Sequence, residues 1–115
     1  MDEFTVDLDR HGDIVVIRLN GELDLRTAPT LRDCLAVALS ELDAPTVVVD
    51  ASQLTFCDSS GVSVLLSGYG LARAAGGHLA LSCVGGRLTR VLEVTGLISH
   101  FQIFPTTHEA LAELR

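Results

Sequence analysis

Four consecutive residues, Thr46-Val47-Val48-Val49, constrain this chain more than any other stretch. β-Branched side chains that follow one another without a polar break point to both faces of a strand, so both faces must be covered. Such a strand belongs in the middle of a sheet with helices on either side. The flanking sequence supplies partners for it. Phe4, Val6 and Leu8 alternate with polar residues as in a half-buried strand, residues 9–13 read as a turn, and Ile14 to Asn20 reads as its hairpin partner. Gly21-Glu22-Leu23-Asp24 closes that strand. Thr27 is placed to cap a helix with Pro29 in its first turn, where a missing N–H costs nothing. Ala28, Leu31, Leu35, Ala38, Leu39 and Leu42 share one face of this helix, and Asp43-Ala44-Pro45 stops it.

Beyond the valine run, Val62, Leu65, Leu66 and Tyr69 form a second helical stripe that ends at Gly76-Gly77. His78 to Val84 reads as a strand. Gly85-Gly86 introduces a third helix with Leu88, Val91, Leu92 and Thr95 inward and Gly96 at its C-terminus. Phe101 to Phe104 is a short last strand, and Thr106 with Glu109 makes a capping box for a final helix carrying Ala110, Leu111 and Leu114. The expected fold is α/β, a single domain over residues 1–115 with a mixed, mainly parallel sheet of about five strands and four helices. Parallel strands put their carboxyl ends on one rim. The Gly21–Asp24 loop, the Asp58-Ser59 loop and the Gly85-Gly86 loop therefore gather there, where sites in open α/β sheets lie.

Composition narrows the function. Hydrophobic residues make up 48% and charged ones 20%, which suits a packed domain and not a disordered chain. The net charge is −7, which argues against a nucleic-acid partner. All 8 basic residues are arginines, so no phosphate loop with its lysine is possible. Asp58-Ser59-Ser60-Gly61 also lacks the nucleophile elbow of a hydrolase, and no enzyme activity is expected. No apolar run approaches the roughly 18 residues of a membrane span. Met1-Asp2-Glu3 lacks the basic start of an export signal, and Cys34, Cys57 and Cys83 read as reduced, mostly buried thiols, so a cytoplasmic protein is expected. The scattered His11, His78, His100 and His108 suggest no metal, and no cofactor is expected.

The candidate site is Phe56-Cys57-Asp58-Ser59-Ser60-Gly61-Val62, a strand-to-helix junction. Backbone N–H groups without partners gather at a helix start, and the macrodipole favours an anion there. Ser59 has two readings on residue type alone, a helix cap or an acceptor for a phosphate; Ser60 is the competing acceptor. Asp58 either caps the helix or orients the Ser59 hydroxyl. Glu22 and Asp24 are solvated loop acids or, with Asp58, an acidic surface for a partner's cation. Gly61 leaves room for another protein's backbone to come close. Cys57 is a redox thiol or a small buried hydrophobe. Ser60, Ser63, Ser67 and Gly70 form a stripe of small side chains on the helix, either a docking face or a surface packed under the domain's own elements.

Two segments, Gly21-Glu22-Leu23-Asp24-Leu25-Arg26-Thr27-Ala28 and Phe56-Cys57-Asp58-Ser59-Ser60-Gly61-Val62, make the chain resemble the STAS domain family, in particular the stand-alone anti-sigma factor antagonists of bacteria. The likeness runs over nearly the whole chain and includes the Thr95-Gly96-Leu97 helix end. It differs at Cys57, where methionine is frequent, and at Val62 and Ser63, where leucine and glycine are frequent. The resemblance implies that Ser59 is phosphorylated by a serine kinase that is also an anti-sigma factor. It implies that the unphosphorylated form binds that kinase and frees the sigma factor, and that a serine phosphatase is a further partner. Glu22, Asp24, Asp58, Ser60, Gly61, Ser63 and Ser67 are the expected partner-binding residues of a monomer. The other role that STAS domains fill, an interaction subunit of a membrane lipid or anion transport complex, is the alternative, and a nucleotide-binding regulator is a third.

Overall fold

The structure, a computed structural model, describes residues 3–41 and 43–115. Its sheet has the strand order β1-β2-β3-β4-β5: β1 Thr5–His11, β2 Ile14–Leu23, β3 Thr46–Cys57, β4 His78–Ser82 and β5 Gln102–Phe104. β1 and β2 are antiparallel, and the pairings from β2 to β5 are parallel. The helices are α1 Ala28–Ser40, α2 Ser59–Ala74, α3 Gly86–Val94 and α4 Thr107–Leu114.

Alternation along β2, β3 and β4 divides the interior in two. Val15, Ile17 and Leu19 with Val47, Val49, Leu79 and Leu81 face one way, onto Leu31 and Leu35 of α1, Leu65 of α2 and Leu92 of α3. Ile14, Val16, Val48 and Ala80 face the other way, with Phe104 of β5 and onto Ala110 of α4. The valine run is thus covered on both sides. Each fully buried valine or leucine contributes about 1.5–3 kcal/mol, and that burial holds the layers together.

The opening turn is shorter than expected. The ladder continues to His11↔Ile14, and Gly12, at φ 65°, takes the tight reversal. β3 is longer than its valine run suggests. It carries an extra residue between Asp50 and Gln53, opposite Arg18 to Asn20, and another between Leu54 and Phe56, opposite Gly21 to Glu22. Each irregularity switches the alternation, and two of them return Cys57 to the interior beside Leu23. The strand therefore delivers Asp58 and Ser59 to the rim with a fixed orientation.

Several local assignments change. Leu66 is 37% exposed, because Gly61, Gly68 and Ala72 bring the buried arc of α2 round to their own side. Thr95 is exposed and donates its hydroxyl to the Val91 carbonyl at 2.7 Å, so it does not point inward. Cys57 is buried, whereas Cys34 and Cys83 are only partly so. Thr106 accepts the Glu109 amide at 3.1 Å, the threonine half of the capping box. Leu42 and residues 1–2 lie outside the described residues.

Candidate functional site

Parallel pairing places the ends of β2, β3 and β4 on one rim, as expected. The last registered pair of β2 and β3 is Leu23↔Cys57, and the Asp58 amide then donates to the Leu23 carbonyl at 3.2 Å. This bond clamps the Gly21–Asp24 segment to the start of α2.

Asp58 is the cap of α2. Its backbone is extended, and Oδ1 accepts the Ser60 amide at 2.9 Å and the Gly61 amide at 3.3 Å. The anion-favouring helix start is therefore filled by the chain's own carboxylate. Ser59, at the first helical position, is exposed, and no hydrogen bond to its hydroxyl is found among the described residues. That removes the capping reading of Ser59. Ser60 is partly buried and engaged through its amide.

Gly61 does not do what its sequence position suggests. It is buried, and a Cβ there would lie 2.6 Å from Leu23 Cγ and 2.8 Å from Cys57 Sγ. The missing side chain lets α2 sit on the domain's own β2 and β3, and no partner can approach from that side. Cys57 below it is 2% exposed, and burial followed by the neighbouring Asp58 charge pushes its thiol up to about 12. A thiol so rarely ionised is a packing residue, which closes its redox reading.

The Gly21–Asp24 segment is a bonded knot. Asp24 Oδ1 accepts the amides of Arg26 at 2.9 Å and Thr27 at 3.1 Å. The Thr27 hydroxyl accepts the Asp24 amide at 2.9 Å and donates to the Glu22 carbonyl at 2.7 Å. Thr27 occupies the cap position of α1 without a side-chain cap bond, because its hydroxyl is turned back into this loop. Gly21, at φ 106°, runs against the start of β1; a Cβ would meet Glu3 O and Phe4 Cα at 3.2 Å.

These bonds sort the acids. Asp24 is half-buried and spends one oxygen on its own turn, whereas Glu22 is exposed. Glu22 pairs in register with Phe56, on the sheet face away from Leu23 and Cys57. On the outer face of α2, Ser63, Ser67 and Gly70 are exposed, and nothing of the domain lies within 4 Å of a Cβ built at Gly70. The stripe is thus not packed under another element. Leu66, two turns beyond Ser59, joins this face.

Two further rim features do not follow from the motif. Arg87, from the Gly85-Gly86 side, lies 5.2 Å from the centre of the Phe56 ring. Leu25 is 76% exposed in the knot. Nothing in residue spacing joins Arg87 to Phe56; the motif position of Leu25, between Asp24 and Arg26, was the available signal for the second.

Comparison with known proteins agrees with this geometry. The family model of the STAS domain matches residues 5–110. An anti-sigma F factor antagonist of Paenibacillus polymyxa is 31% identical over 109 residues, covering 95% of this chain and 93% of its own. A crystal structure of an anti-sigma factor antagonist from Mycobacterium paratuberculosis is 28% identical with a TM-score of 0.87, covering 98% of this chain and 95% of that one. The anti-sigma factor antagonist SpoIIAA in its unphosphorylated form is 27% identical with a TM-score of 0.82, covering 96% of each chain. The phosphorylated form of Bacillus SpoIIAA has a TM-score of 0.76 at 27% identity, covering 96% of this chain and 100% of that one.

Proposed function

Because the chain belongs to the STAS domain family, we propose that it is an anti-sigma factor antagonist that works by partner switching, with Ser59 as its phosphorylated residue. The observation that carries this reading is the division of labour at the start of α2: Asp58 caps the helix, and the Ser59 hydroxyl is left exposed, with no hydrogen bond among the described residues. A serine kept for capping would have the reverse arrangement.

In the unphosphorylated state the rim docks on an anti-sigma factor that is also a serine kinase, and the sigma factor is freed. The kinase then transfers the γ-phosphoryl group of ATP to Ser59 Oγ. The new P–O bond forms as the bond to ADP breaks, and the hydroxyl proton passes to a base on the kinase. Asp58 Oδ1 is committed to the cap, leaving Oδ2 to face the kinase's metal-bound phosphates. This chain supplies the acceptor and not the catalyst. The product carries about −1.5 to −2 additional charges. With Asp58 already seated at the helix end, the phosphate cannot fold into that position and stays at the docking surface beside Asp58. A serine phosphatase restores the hydroxyl by hydrolysis. The protein acts as a cytoplasmic monomer in this scheme, and no helix among the described residues is long and apolar enough to cross a membrane.

Incubation with the cognate anti-sigma factor kinase and ATP, followed by mass-spectrometric mapping, tests the assignment. Phosphate on Ser59 is expected; phosphate on Ser60 with Ser59 unmodified contradicts it.

A further inference from the structure

The knot between β2 and α1 concentrates side-chain and backbone hydrogen bonds between Glu22 and Thr27, and at its tip stands a leucine. Turn tips favour Gly, Asn, Asp or Ser. Leu25 is the most exposed of the large apolar residues among those described, at 76%. A single exposed leucine is ordinary in itself. Its mounting is what separates Leu25 from Val94 or Leu71, which lie on the outer faces of α3 and α2. Asp24 Oδ1 holds the Arg26 and Thr27 amides, the Asp24 carbonyl holds the Ala28 amide at 2.8 Å, and the Leu23 carbonyl holds the Asp58 amide at 3.2 Å. Leu25 therefore stands on a backbone fixed on both sides and tied directly to the switch segment. It lies two residues past the registered pair Leu23↔Cys57, just as Ser59 follows Cys57 at the start of α2.

Resting on the partner-switching reading, we propose that Leu25 is a partner-selecting knob that enters an apolar socket of the anti-sigma factor kinase while Ser59 enters its active site. Leu66, on the Ser59 side of α2, gives the second apolar contact. A rigid, pre-organised apolar side chain loses little freedom on burial, which is the property of interface anchors. The surrounding charge selects the occupant. Glu22, Asp24 and Asp58 outnumber the adjacent, exposed Arg26 in this part of the rim, on a chain of net charge −7, so a second copy would bring a net excess of like charges together. A socket with a basic margin, as an ATP-binding protein presents near its nucleotide phosphates, meets the same acids favourably. Leu25 thereby reads the partner's identity at a position separate from the phosphorylated hydroxyl.

Wild type, Leu25→Ser and Leu25→Met are titrated calorimetrically against each purified anti-sigma factor kinase of the same organism, loaded with a non-hydrolysable ATP analogue. Thermal melts of the three proteins accompany the titrations. The expected result is one kinase that binds wild type and Leu25→Met alike and Leu25→Ser about tenfold or more weakly, with melting temperatures unchanged. At saturating protein, phosphorylation of Leu25→Ser still falls on Ser59, so the loss is in binding and not in transfer. Binding of Leu25→Ser within about twofold of wild type, on a kinase that binds wild type, overturns the knob and leaves the switch standing. Failure of wild type to bind any of the kinases overturns both.

Discussion

Gly61 and Leu23 are so close that a single added carbon at Gly61 would lie 2.6 Å from Leu23 Cγ. Alanine there relieves the glycine's helix penalty, a gain of about 0.5–1 kcal/mol. Overpacking a buried contact costs about 1–3 kcal/mol, and neither the Leu23 branch point nor the buried Cys57 sulfur can swing aside. The clash wins. Gly61→Ala is expected to lower the urea midpoint of unfolding with an unchanged slope; a midpoint equal to or above that of wild type would show that α2 lifts off β2 freely.

The cap on α2 is separable from the charge that makes it. Asp58→Asn keeps an oxygen for the Ser60 and Gly61 amides, while Asp58→Ala loses it. The alanine variant is expected to lose about 1 kcal/mol of stability and the asparagine variant much less. Equal losses in denaturant titrations would mean that the carboxylate's charge, and not its hydrogen bonds, holds the helix start.

Much of the architecture was legible because it depends on patterns longer than any local exception. Thr46 to Val49 required cover on both faces, and Val48 does face α4 while Val47 and Val49 face the other three helices. The strand–helix alternation then fixed the rim. What escaped was set by contacts distant in sequence. Residues 51–56 lose a clean alternation because β3 carries two extra residues against β2, so its continuation to Cys57 could not be read. Leu66 looked inward by spacing, yet Gly61, Gly68 and Ala72 allow α2 to approach on their own side, with Gly68 against Leu35 and Leu79. Gly61 looked like an opening for a partner because its neighbour is Ser60; Leu23, distant in sequence, occupies that space. Thr27 had the right type and position for a cap, but Glu22 and Asp24 compete for its hydroxyl.

Asp50 gives the stability a predictable response to acid. It is 4% exposed and belongs to a polar row that crosses the sheet in register, Asp7↔Arg18↔Asp50↔Ser82. Thr107, at the start of α4, donates to Asp50 Oδ2 at 2.9 Å and pairs with the Ser82 hydroxyl at 2.6 Å. Burial pushes the Asp50 carboxyl up, but the Ser52, Thr107 and Arg18 interactions together outweigh it and leave the group below its ordinary 3.8. A depressed folded value stabilises the protein above the unfolded pKa, and that contribution is lost as pH falls through the folded one. The stability difference between wild type and Asp50→Asn is therefore expected to be constant near neutral pH and to shrink below about pH 4. A difference that grows on acidification would contradict the assignment.

Ser67 tests the outer face of α2. Its side chain is exposed, so arginine at that position meets solvent and not the core. Ser67→Arg is expected to keep its melting temperature within a few degrees and to lose kinase binding and Ser59 phosphorylation together. Wild-type binding by a folded Ser67→Arg variant would move the docking face off this stripe.

In the partner-switching scheme, charge at Ser59 decides whether the partner stays bound. Dissociation constants of Ser59→Ala and Ser59→Asp for the cognate anti-sigma factor kinase, measured side by side at one salt concentration, address it most directly. Both variants should fold as wild type, because the Ser59 hydroxyl holds no bond among the described residues. The alanine variant is expected to bind at least about tenfold more tightly, since a carboxylate beside Asp58 adds a like charge at a closed interface and about 1.4 kcal/mol is already tenfold. Equal constants for the two variants would contradict electrostatic release and with it the switch.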